Sequence, residues 1–93
     1  MPQLKVHVIT IDEDKFPGFA EFELVDLTGT THMFTEKLSV VGIDIQETPY
    51  FAWIECTQIQ KKANSVIVST QEPHGVECKN GITEFEIPTT SFR

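Results

Sequence analysis

Cys56, His74 and Cys78 carry the atoms for the most demanding chemistry this sequence could offer. With His32 or His7 they would make a zinc ligand set, since Zn²⁺ takes four thiolate or imidazole donors in a tetrahedron. The spacing argues against it. Three residues separate His74 from Cys78, whereas structural zinc sites show paired ligands such as Cys-x2-Cys. Cys56 stands two residues from Ile54 in an alternating run, where a cysteine behaves as a small buried hydrophobe. The same atoms would have to serve a Cys-His nucleophile, which needs a thiolate held by nearby positive charge or a helix N-terminus. An acidic chain without helical periodicity offers neither, so the Cys56 thiol is expected to titrate high. No Gly-x-Ser-x-Gly, phosphate-binding glycine loop or His-Glu-x-x-His stretch occurs. No catalytic residue, metal site or cofactor is expected, and the chain is read as a non-enzyme.

Carboxylates form the second candidate. Asp12, Glu13 and Asp14, followed by Gly18 and Glu23, invite comparison with a calcium loop. Such a loop needs oxygen ligands at positions one, three, five and twelve, with glycine at six. Asp12, Asp14 and Glu23 would fill one, three and twelve, but Phe16 falls at five and Pro17 at six. The plain reading is a solvated acidic turn. The adjoining segment is more suggestive: Lys15-Phe16-Pro17-Gly18-Phe19 sets two phenylalanines around a Pro-Gly bend. An exposed aromatic ringed by acids would suit a basic, partly apolar protein surface. Asp12, Glu13, Asp14, Phe16, Pro17 and Phe19 are therefore the candidate partner-binding residues. The competing expectation is that both phenylalanines fold back into the core.

Charge supports a basic partner and argues against nucleic acid. Fourteen acids against seven bases give a net charge of −7. Nine of those acids, against three lysines, lie between Met1 and Glu47. Such a field steers cationic partners inward and repels phosphate backbones, although acidity also serves plain solubility. Phe16, Phe19, Tyr50, Phe51 and Trp53 could stack on bases, but only Lys61 and Lys62 stand together as a basic pair.

The elements that must position these residues follow a period of two. Ala20, Phe22 and Leu24 alternate with Glu21 and Glu23; Asp26-Leu27-Thr28-Gly29-Thr30 turns the chain; His32, Phe34, Glu36 and Leu38 alternate with Met33, Thr35 and Lys37. Two alternating runs around a Gly-bearing polar turn predict a β-hairpin, each strand with one buried face. A first strand is predicted over Leu4 to Asp12, with Leu4, Val6, Val8 and Thr10 on one face. A long fourth strand is predicted from Tyr50 to Gln60, a fifth over Ser65 to Thr70, and a last one over Thr83 to Ile87. Val76 to Cys78 reads as a short edge strand, and Ser39 to Ile43 as either an edge strand or a crossing loop. No stretch of ten residues has helical periodicity. At 93 residues the chain makes one domain with a modest core. The expected architecture is an all-β, small antiparallel barrel of about six strands, because closure removes sticky sheet edges; a two-sheet sandwich is the alternative.

Two cysteines do not make a disulfide framework, and reduced thiols are expected. No apolar run approaches the ~18 residues of a membrane span. Met1-Pro2-Gln3-Leu4-Lys5 lacks a basic region leading into an apolar stretch, so a cytoplasmic location is expected. Phe16-Pro17-Gly18-Phe19, Glu23-Leu24-Val25-Asp26 with Gly29, His32-Met33-Phe34 with Glu36-Lys37, and Gly75-Val76-Glu77 with Gly81-Ile82-Thr83-Glu84-Phe85 resemble small uncharacterised bacterial all-β proteins. That resemblance implies a stand-alone bacterial protein and transfers no functional residue. The expected function is a non-catalytic, acidic interaction module of inhibitor, immunity or regulatory type. It would bind a basic protein surface, as a monomer or a homodimer. The alternative is a small-ligand or metal-binding β-barrel.

Overall fold

Asp26 shows how the sequence makes its first turn. In the computed structural model, which describes residues 1–14, 18–42 and 45–93, strand β2 (Phe19–Val25) reverses into β3 (Thr31–Lys37) through residues 26–30. The Asp26 Oδ1 accepts from the Thr28 N–H (2.9 Å), the Thr28 hydroxyl (2.7 Å) and the Thr30 N–H (3.0 Å). Its Oδ2 lies 2.8 Å from His32 Nε2. Gly29 closes the turn at φ +87°, a left-handed conformation that side chains disfavour. The register pairs Phe22 with Phe34, whose buried rings stack at 4.9 Å.

Strand β1 (Gln3–Asp12) lies inside this sheet, antiparallel to β2 on one side and to β4 (Tyr50–Glu55) on the other. The order is β3-β2-β1-β4. Leu4, Val6 and Val8 face the core, and Lys5 and His7 face outward. The register then shifts between Val8 and Thr10, with Ile9 as the extra residue of a β-bulge. Past the bulge the faces exchange. Thr10 and Asp12 turn outward opposite Glu21 and Phe19, while Ile11, opposite Ala20, packs on the core. The expected placing of Thr10 on the same face as Leu4, Val6 and Val8 is thus overturned by one inserted residue.

A second sheet has the order β5-β6-β7, from β5 (Thr57–Lys61), β6 (Ser65–Ser69) and β7 (Glu84–Pro88). The expected single strand over Tyr50 to Gln60 divides at Cys56 into β4 and β5, so one nearly continuous run of chain serves both sheets. Cys56 N–H donates to Pro2 O (2.9 Å) instead of joining a ladder. Among the described residues, seven strands therefore replace the expected six. The inner faces meet in one cluster, with Leu4, Val6, Phe22 and Phe34 from the first sheet against Val66, Val68, Phe85 and Ile87 from the second. Phe34 and Phe85 cross this interface at 5.7 Å and 58°.

The fold is all-β, two antiparallel sheets of four and three strands. The expected barrel does not close among the described residues. Where a ladder would have to join β3 to β7, turn and loop residues intervene and supply single bonds: Leu27 N–H to Glu86 O (2.8 Å) and Lys79 N–H to Met33 O (2.8 Å). These blunt the β3 edge without continuing the sheet. The possible edge strand at Val76 to Cys78 is instead a loop that buries Val76 and Cys78, clipped by the buried Thr70 hydroxyl donating to Val76 O (2.6 Å). Leu38–Val41 forms a 3₁₀ turn rather than an edge strand. At the turn of the β5–β6 hairpin, Ser65 Oγ donates to Glu86 (2.6 Å) and Lys62 lies 3.3 Å away, holding the Glu86 carboxyl below its usual range. No helix is long and apolar enough to cross a membrane.

Candidate functional site

The candidate zinc ligands are scattered by this fold. Cys56 and Cys78 are both free thiols buried in the core. Each histidine instead meets a carboxylate from another part of the fold: His7 with Glu23 (3.2 Å), His32 with Asp26 (2.8 Å) and His74 with Glu55 (3.0 Å). Among the described residues no group of three or more His, Cys, Asp or Glu side chains converges as a metal site requires. Burial pushes the Cys56 thiol up to about 11, the opposite of what a nucleophile needs. Cys56 is accordingly expected to resist a maleimide or aromatic disulfide reagent in the native protein and to react at once in denaturant. Timed thiol titration under both conditions checks this.

The acidic candidates do gather at a groove. Asp12 and Phe19 face each other across the last rung of the β1–β2 ladder. With Thr10, Ala20, Glu21 and Thr35 they line an open concavity of about 330 Å³ on the outer side of the four-stranded sheet. Phe19 is 37% exposed, so this phenylalanine is presented at the surface and not folded back. Glu13 and Asp14 continue the acidic edge beyond β1, both exposed, and the Asp14 N–H donates to Asp12 Oδ1 (3.1 Å). Phe16 and Pro17 lie outside the described residues. On the β3 side Lys37 stands opposite Phe19, and Lys79 Nζ lies 4.0 Å from Glu21. Among the described residues, no ion pair involves Asp12, Glu13 or Asp14. Among the described residues these three carboxylates therefore place unpaired charge along the β1 rim.

Glu21 joins this groove by strand parity, a signal that the alternation of Glu21 and Glu23 with Phe22 already carried. The opposite end of the same outer face gave no such warning. There the register sets Lys5 beside Trp53 and His7 beside Phe51. The Arg93 guanidinium lies over the Trp53 ring at 4.3 Å, fixed by a 2.9 Å bond from its Nε to Gln3 Oε1. Lys5 Nζ stands 5.1 Å above Phe51, and His7 stacks on that ring at 4.7 Å. Cations over aromatic faces gain from the ring quadrupole, about 0.5–1 kcal/mol at exposed sites. Phe51 remains 62% exposed, more so than any other aromatic residue described. The aromatics thus divide, with Phe22, Phe34 and Phe85 inside and Phe19, Phe51 and Trp53 on the outer face.

Fold and surface together define a two-sheet, all-β protein with one polarised outer face. Comparison with protein-family models, curated proteins and solved structures finds no match.

Proposed function

We propose that this protein is a non-catalytic interaction module that receives a basic segment of a partner protein in the groove between β1, β2 and β3. The observation that carries the reading is the exposed Phe19 flanked by the carboxylates of Asp12 and Glu21 in an open groove. Carboxylates there would meet a lysine or arginine head group, and the Phe19 ring would pack on its aliphatic stem or on an adjacent apolar side chain. The long-range field of fourteen acids would speed encounter, a rate effect that salt weakens. An inhibitor or immunity protein against a basic toxin, or a regulatory subunit, fits this chemistry. The raised Cys56 thiol argues against a cysteine nucleophile and so supports the non-catalytic reading.

The test is calorimetric titration with an oligolysine peptide and with a peptide of equal charge carrying phenylalanines. The phenylalanine peptide is expected to bind more tightly. Asp12→Asn with Glu21→Gln is expected to weaken it about two- to thirtyfold, since each exposed pair contributes about 0.2–1 kcal/mol. Equal binding of both peptides, or binding indifferent to these substitutions, would remove the groove from the function.

A further inference from the structure

The outer face of the four-stranded sheet is polarised along its length. One end holds Phe19 with Asp12 and Glu21; the other holds Phe51 and Trp53 with Lys5 and Arg93. Among the described residues, no carboxylate forms an ion pair with Lys5 or Arg93, and none of the lysines pairs with Asp12. Among the described residues Asp12 at one end, and Lys5 and Arg93 at the other, therefore carry unpaired charge of opposite sign next to an exposed phenylalanine, while Glu21 shares its charge with Lys79. Phe19 and Phe51 are the only exposed phenylalanines among those described, and both lie on this one face. A surface whose two halves are complementary to each other is complementary to its own copy.

We infer that the outer face of the β3-β2-β1-β4 sheet is the interface of a homodimer, in which the Lys5–Arg93 end of each chain covers the Asp12–Glu21 end of the other. This rests on the reading of the acidic groove as a cation-accepting surface and names a second copy as its occupant. The geometry is that of an isologous pair. Two faces brought together need a two-fold axis lying in the interface plane, and an axis set across the line joining the two ends brings unlike ends together. The cations already stand over aromatic rings, so their stems are packed before association and little further ordering is required. Phe51 and Phe19 would each lose their remaining exposure, giving two aromatic anchors per chain inside a charged rim. Glu23 lies between the two ends with His7 as its neighbour, so its charge has a partner at the centre of the face. A free basic segment would then compete with the second copy for the same groove.

Sedimentation equilibrium over a wide concentration range tests this. Wild-type protein is expected to dimerise, less tightly as salt rises. Lys5→Glu with Arg93→Glu, and separately Asp12→Lys with Glu21→Lys, are expected to weaken self-association about tenfold or more. The decisive step is mixing: the two reversed variants, each weakly associating alone, are expected to form a heterodimer with restored affinity. Retained circular dichroism in each variant excludes unfolding as the cause. A wild-type chain that stays monomeric at millimolar concentration overturns the inference. So does a dimer untouched by either reversal, or a mixture that fails to rescue. Binding of a single-stranded oligonucleotide to the Lys5–Arg93 end of a monomeric wild type would overturn it too, by naming another occupant. The two readings remain separable. Peptide binding to the Lys5→Glu, Arg93→Glu variant without wild-type dimerisation leaves the proposed function standing alone, and dimerisation without peptide binding does the reverse.

Discussion

Phe34→Ala is expected to destabilise the protein by about 3–5 kcal/mol, the range for truncating a fully buried aromatic. Phe34 has no exposed surface and bridges the two sheets, stacked on Phe22 at 4.9 Å and tilted on Phe85 at 5.7 Å. Its loss would open a cavity where the two layers meet, bounded by ladders that cannot collapse without losing register. Domains of this size hold about 5–15 kcal/mol in total, and each 1 kcal/mol shifts the midpoint by about 4–8 °C. Thermal unfolding followed by circular dichroism should therefore show a fall of at least about ten degrees, or no cooperative transition at all. Ile59→Ala, at an exposed position of the second sheet, is the control and should leave the midpoint nearly where it was. Comparable losses from both would mean that the interlayer contact is not where the core is concentrated.

Asp26 is expected to make the fold acid-sensitive below about pH 4. Partial burial pushes its carboxyl up, but hydrogen bonds from His32, the Thr28 hydroxyl and the Thr30 and Thr28 N–H groups outweigh that and lower it from 3.8 to about 2. A group whose acidity is greater in the folded chain stabilises it wherever the carboxylate is ionised in both states. The contribution is complete above about pH 4 and is lost as pH falls toward about 2. Allowing for the solvent that reaches this turn, it amounts to about 1–2 kcal/mol. Denaturant unfolding across that window should show wild-type stability falling steeply with acid, and Asp26→Asn starting lower and falling less. An unchanged pH slope in the variant would mean that another carboxylate governs the acid limb.

The hairpin was legible because its signals are local. Alternation from Ala20 to Leu24, the Asp26 and Gly29 turn, and alternation through Phe34 each follow from neighbours in sequence, and β2 and β3 end where those signals end. Alternating runs without helical periodicity likewise carried the all-β class. The features that escaped depend on residues far apart in the chain. Pairing of β1 with β4 puts Lys5 beside Trp53 and Arg93 over the same ring, an arrangement no window of sequence contains. The break at Cys56 also left no mark, since alternation runs through it and only the demand to cover a second face bends the strand away. The expected barrel failed for a related reason: closure is decided by whether β7 reaches β3, which turn residues forestall. Of the acidic site, Asp12 and Phe19 were legible from composition around the Pro-Gly bend. Their direct opposition was not, because it requires the shift at Ile9.

That shift has a further consequence for how the protein can change over generations. Val8-Ile9-Thr10 contains no glycine or proline to advertise a kink, yet the kink there decides what the distal half of β1 shows to water. Straightening the strand at unchanged length would rotate Asp12 into the hydrocarbon interior while Ile11 swung out, whereas removing Ile9 altogether would leave both facing as they do. Substitutions around the groove can be absorbed one at a time; loss of the kink at unchanged length would invert every later position of the strand together. Lineages that keep the anionic rim are thus bound either to keep the kink or to shed its extra residue.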